Sequence, residues 1–177
     1  MAKEPQVPVA DVQVPTSTLS YQLEMLKLEI ETINGIVDRI DGITQTTKNW
    51  AVVTWAGGLG LALQHQELRR FVILTAALPL LFWYIDAVWR RLQARSTYRI
   101  AKIREFLNDE RLSRSFSLGR LCDFSVLDPV GTQYKGTAEY EQHVRLGRTL
   151  RYREIRVFYL VPALLSAALG LFFLLRP

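Results

Sequence analysis

Three apolar runs, residues 50–63, 71–89 and 157–175, constrain this chain more than any other feature, because each must be hidden from water. The first, WAVVTWAGGLGLAL, carries no charge but is short, since a hydrocarbon core of ~30 Å takes ~20 helical residues. Extending it to 46–66 supplies the length, with Lys48 snorkelling at one end and Gln64, His65 and Gln66 in headgroups at the other. The second run has spanning length, with an aromatic belt of Phe82, Trp83, Tyr84 and Trp89 and a Pro79 that predicts a kink. The third is also long enough to span. Hydrophobic residues make up 49% of 177, yet the chain holds 22 Lys and Arg and 17 Asp and Glu, so greasy and charged residues are segregated along it. The expected fold class is an all-α membrane protein with three crossings and no secretory leader. One cysteine, Cys122, and two histidines, His65 and His143, cannot build a disulfide framework or a closed zinc site, and no cofactor is expected.

The remainder divides around those runs. Residues 1–18 repeat Gln-Val-Pro and read as a Pro/Val tail, either unstructured or able to add a strand to a partner through Val7, Val9, Val12 and Val14. Residues 19–48 carry Leu19, Leu23, Leu26, Ile30, Ile33, Val37 and Ile40, alternating four and three apart, a heptad seam with 23, 30 and 37 at position a and 19, 26, 33 and 40 at position d. Residues 49–89 form a transmembrane hairpin. Residues 90–156 form a basic helix followed by a turn-rich region, irregular over 108–136, and 157–177 form the third transmembrane helix. Residues 89–156 hold 15 Lys and Arg against 8 Asp and Glu, which places them in the cytoplasm. The heptad helix shares that side, the C-terminus lies outside, and the bacterial inner membrane is the expected location. A second stalk face, Trp89, Leu92, Ser96, Ile100, Ile103 and Leu107, runs antiparallel to the heptads. The seam can therefore close inside one chain or between copies, with trimers or tetramers open as homo-oligomers.

No nucleophile and base pair up, no phosphate loop exists, and the chain is not expected to be an enzyme. Small residues at four-residue spacing (Thr54, Gly58 and Ala62; Ala56 and Gly60; Ala163 and Ala167; Ser166 and Gly170) predict close helix packing, within a hairpin or around a central pore lined by the first span. Asp86, the acidic residue inside a span, is either an i,i+4 partner of Arg90 or part of an ion pathway. Arg95, Arg99, Lys102, Arg145, Arg148 and Arg151, interleaved with tyrosines, suit anionic membrane lipids or an oligonucleotide.

The stretch IVDRIDGITQTTKNWAVVTWAGGLGLAL followed by LPLLFWYIDAVWRR resembles small bacterial membrane proteins of anti-phage systems, the Hailong-type transmembrane effectors among them. The resemblance covers about residues 20–110 and is carried by Lys48, Trp50, Pro79, Trp83 and Asp86. It implies an oligomeric ion channel, gated by its cytoplasmic region and by an oligonucleotide product of a nucleotidyltransferase partner, that depolarises the infected cell. Residues 108–136 lie outside it. The alternative is a non-conducting membrane anchor that recruits a soluble partner.

Overall fold

The computed structural model describes residues 17–175, so all but the end of the Pro/Val tail lies outside the described residues. Helix α1, Thr18–Gln64, is 47 residues long. Its start is fixed by a capping box: the Ser17 hydroxyl accepts from Ser20 N–H at 3.2 Å, and Ser17 N–H donates back to Ser20 Oγ at 3.1 Å. After His65 the chain reverses into a 3-10 helix, Gln66–Ala76, and continues as α2, Ala77–Leu107. Residues 66–107 therefore run as one arm antiparallel to α1.

The 3-10 turn type has a consequence for reach. At about 2.0 Å of rise per residue, against 1.5 Å for an α-helix, those eleven residues cover roughly 22 Å and lengthen the second apolar segment. It also corrects the expected kink. The change of helix type falls at Ala76 and Ala77, so Pro79 lies in the first turn of α2, where a missing N–H breaks no intrahelical bond.

Residues 108–136 are less irregular than their composition predicts. They hold a nine-residue helix, α3, Glu110–Leu118, ended by Gly119 at φ +68°, and a 3-10 turn, Thr132–Tyr134. Ser113, Ser115 and Ser117 hide α3 in the sequence, because serine is a weak helix former. Here Ser115 is fully buried and its hydroxyl donates to the Arg111 carbonyl at 2.7 Å. The helix expected to lead from about Thr137 into the third span is broken into α4 (Ala138–His143), α5 (Leu146–Thr149) and α6 (Arg153–Leu175). Among the described residues there is no strand.

The heptad seam closes within the chain. Its d positions, Leu19, Leu26, Ile33 and Ile40, are at most 6% exposed, while Leu23, Ile30 and Val37 flank them half-buried. Leu26 and Ile33 pack on Ile103 of α2, and Leu19 on Phe106 and Leu121. Phe106 takes the place expected of Leu107, which is exposed. Phe124 and Val126, from the segment after α3, lie across both clusters and seal them.

Two stretches, Gln66–Leu107 and Ala138–Leu175, contain helices long and apolar enough to cross a membrane. Only 22% of the apolar window in each is buried, and large apolar side chains face outward: Leu74, Val161 and Leu164 are each at least 60% exposed. A helix that turns leucine and valine outward is matched to hydrocarbon rather than to water.

Candidate functional site

The apolar ends of α1 and α6 grip the 3-10 segment between them. Gly170 of α6 approaches so closely that a Cβ there would lie 2.6 Å from Ile73 N. Ser166, one turn earlier and fully buried, hydrogen-bonds the Thr75 hydroxyl at 2.9 Å and accepts from Trp55 Nε1 at 2.8 Å, tying all three segments together. Gly58 faces the same junction, where a Cβ would meet Leu78 Cδ1 at 3.3 Å, and Ala62 is 8% exposed. The predicted small-residue packing is present, and for Gly58, Ala62, Ala163, Ser166 and Gly170 it is packing within one chain. Thr54 is exposed, beside Trp50 and Phe82.

Gly58 and Ala62 therefore do not line an open path. The opposite side of α1 carries Asn49, Val53, Ala56, Gly60 and Gln64, all exposed. At 100° per residue these five fall within an arc of about 80° centred away from Ala51, Trp55, Gly58 and Ala62. Ala56 and Gly60 were legible as a four-residue pair. The rotation that sets them outward was not.

Asp86 is fully buried where α2 meets α6. The expected Arg90 partner stands 4.0 Å from Oδ1, whereas Tyr159 of α6, which the sequence did not single out, donates its hydroxyl to Oδ2 at 3.3 Å. Arg90 is held instead by Asp41 at 2.8 Å, the Gln93 side-chain oxygen at 2.7 Å and the Thr44 hydroxyl at 3.2 Å. Asp86 thus belongs to a joint between helices.

The polar end of the molecule holds a fully buried ion pair. Arg99 and Glu29 are both without side-chain exposure and meet through two bonds, Nε to Oε1 at 2.7 Å and a terminal nitrogen to Oε2 at 3.1 Å. Arg99 also donates to the Ser125 carbonyl at 2.6 Å and the Tyr134 hydroxyl at 2.9 Å. Glu29 accepts from Leu127 N–H at 2.9 Å and Asp128 N–H at 3.2 Å. One ion pair thereby fastens the 125–128 loop onto both stalks. Burial opposes the charged form of Arg99, and the Glu29 bonds reverse this and raise its pKa. At Asp128, burial pushes the carboxyl up, but bonds from Thr132 and Gln133 outweigh it and leave the group below the usual aspartate value.

These contacts correct half of the expected anion site. Arg99 is consumed inside the head. Lys102 is bonded to Glu105 at 3.0 Å and Glu139 at 3.2 Å, with the Glu105 bond the main reason its pKa is raised. It borders a cavity of about 280 Å³ in which Glu105, Asp123 and Glu139 outnumber Lys102 and Arg111, a poor setting for an anion. Arg95 is half-buried, with a buried Nε that has no hydrogen-bond partner. Arg145, Arg148 and Arg151 remain exposed at the joints between α4, α5 and α6.

His143, in the last turn of α4, lies against the Tyr98 ring with centroids 5.3 Å apart. Burial, then the nearby Arg148 charge, holds its pKa below 6.5, with Glu139 opposing. A base with a depressed folded pKa takes up its proton first in the unfolded chain, so its contribution to stability is lost as pH falls below about 6.5. Thermal unfolding of the wild type is expected to move down between about pH 7.5 and 5.5 by more than that of His143→Gln. Equal shifts would remove His143 from the pH response.

Among the described residues no group of three or more His, Cys, Asp or Glu is placed to hold a metal ion. The architecture is that of an all-helical protein with two helices able to cross a membrane and a polar head locked by a buried ion pair. No protein-family model, curated protein or solved structure matches the chain.

Proposed function

We propose that this chain is an oligomeric protein of the bacterial inner membrane. It crosses three times, and its assembly opens an ion-conducting path under control of the cytoplasmic head. It acts as an effector rather than an enzyme. The observation that carries this reading is the outward face of α1 at membrane level. Asn49, Ala56, Gly60 and Gln64 are small or polar and all exposed, with Val53 the one larger apolar residue among them, whereas the other two segments turn Leu74, Leu80, Val161 and Leu164 outward. Helices that meet only lipid gain nothing from such a face, while helices that meet copies of themselves pack through small residues, and a water-filled path needs polar ones. Ala51 packs on Ile155 and Tyr159 at the cytoplasmic edge while Gln64 ends at the turn into the 3-10 segment, which supports a crossing by α1 beside the other two.

The resemblance to Hailong-type effectors supports a role in anti-phage defence. A trigger such as an oligonucleotide from a nucleotidyltransferase partner would have Arg145, Arg148 and Arg151 to meet it, because Arg99 and Lys102 are already paired. The non-conducting anchor remains the second reading, and the observation in its favour is that the heptad seam is consumed within the chain.

Dye entry and loss of membrane potential on expression separate the two. The wild type is expected to permeabilise the cell and to cross-link as an oligomer in mild detergent. Ala56→Leu/Gly60→Leu is expected to abolish both while inserting normally. A wild type that is monomeric and leaves the potential intact would establish the anchor.

A further inference from the structure

At the level of Asp86, where the apolar runs give way to the head, α1, α2 and the start of α6 enclose a cavity of about 320 Å³. It is lined by Lys48, Arg90, Gln93, Tyr152, Arg153 and Glu154. Of the charged residues lining it, Lys48, Arg90 and Arg153 are cations and Glu154 is the anion, while Asp41 and Asp86 face Arg90 from behind. Arg90 is clamped by Asp41, Gln93 and Thr44, so its position is set before any ligand arrives. Among the described residues neither Lys48 nor Arg153 has a carboxylate within 4.0 Å; Lys48 Nζ sits 5.9 Å above the Phe158 ring, and its charge also acts on the buried Asp86. Two cations without a direct ion pair in one recess are a different matter from arginines spread over a surface, because both can reach one guest.

The rim fixes the kind of guest. Tyr152, Phe158 and Trp50 are exposed around this level, as aromatic side chains are where hydrocarbon meets headgroups. The first turn of α6 forms one wall; Arg156 N–H is bonded to the Tyr152 carbonyl at 2.9 Å, and the positive end of the helix adds attraction for an anion to that of the side chains.

We propose that this cavity binds a phosphate, and that its source is the headgroup of an anionic phospholipid in the inner leaflet, with Lys48 and Arg153 as its charge partners and Arg90 as a fixed third contact. Seated there, a lipid bridges α1 to the start of α6, two elements joined at this level mainly by Ala51, Ile155 and Tyr159. The inference rests on the membrane placement proposed above but not on conduction.

The test uses the full chain in mixed micelles holding equal phosphatidylglycerol and phosphatidylcholine of the same acyl length, with retained lipid counted by native mass spectrometry. The wild type is expected to retain phosphatidylglycerol in preference. Lys48→Gln and Arg153→Gln are each expected to lower that retention about fivefold, and the pair more. Arg69→Gln/Arg70→Gln, which removes two cations at the far end, should leave it unchanged, and circular dichroism should show all variants helical. Displacement of the lipid by inorganic phosphate would assign the site to soluble phosphates as well, and failure to displace assigns it to lipid alone. Equal retention of the two lipids, or wild-type retention in Lys48→Gln/Arg153→Gln, overturns the proposal. Dye entry measured on the same variants reports on conduction separately, so the two readings fail independently.

Discussion

Arg99→Leu is expected to unfold the polar head while the apolar helices stay associated. The substitution strands a carboxylate that has no side-chain exposure, and breaking a buried pair in this way costs about 3–5 kcal/mol. Replacing both partners, Glu29→Leu/Arg99→Leu, removes the stranded charge but should recover only part of the loss. Glu29 also accepts the part-buried Leu127 and Asp128 N–H groups, and losing each of these bonds costs about 0.5–1.5 kcal/mol. Glu29→Gln/Arg99→Leu, which keeps an acceptor, should recover more. Limited proteolysis between residues 119 and 131 under increasing denaturant gives the order: Arg99→Leu cut most readily, then the Leu/Leu pair, then the Gln/Leu pair. If Arg99→Leu resists cleavage as well as the wild type, the pair is not what fastens the loop.

The second large effect is a reversal of sign between two glycines. Gly170→Ala places a carbon 2.6 Å from the Ile73 backbone, which has no flexible end to move aside, so α6 and the 3-10 segment must separate. Overpacking of this kind costs about 1–3 kcal/mol. At Gly60 a Cβ meets nothing of its own chain within 4 Å, and in the dissociated monomer the same substitution should gain about 0.5–1 kcal/mol from helix propensity alone. Thermal unfolding of the monomer, in a detergent that dissociates any oligomer, should therefore fall for Gly170→Ala and rise for Gly60→Ala. The Trp55 to Ser166 bond lies one turn from Gly170, so a red-shifted tryptophan emission in Gly170→Ala alone would place the damage at that junction. Matching shifts at both positions would mean that the close approach at Ile73 is not maintained.

How far the sequence speaks depends on which physics governs each residue. The heptad seam was legible because burial of Leu19, Leu26, Ile33 and Ile40 follows helical period alone, and period survives in the letters. Its partner was not, since a stripe of leucine and isoleucine fits a second copy as well as Ile103 and Phe106. Arg99 was misread for a related reason. In the sequence it is one arginine among many at a cytoplasmic face, and only its meeting with Glu29, seventy positions away, turns it inward. A charged residue at heptad position g beside the seam, as Glu29 is, was the available hint. The expected Pro79 kink treated the run 71–89 as one α-helix and had no view of the 3-10 turns before it. Serine content hid α3. In the small-residue spans the spacing was right, but which side of α1 met its neighbours depends on where Ser166, Thr75 and Gly170 come to lie.

Helix α1 carries no break from the Ser17 cap to Gln64, about 70 Å of continuous rod. It is gripped along its length, by Arg99 at Glu29, by Arg90 at Thr44, by Ile155 and Tyr159 at Ala51, and by Ser166 at Trp55. A stiff beam gripped at several points cannot tilt at one of them alone: a swing of about 10° about Thr44 would carry the Gln64 end through roughly 5 Å and must be taken up at the Trp55 grip. Whatever loosens the loop gripped by Arg99 is thereby expected to load the Trp55 to Ser166 bond, about 39 Å further along the same rod.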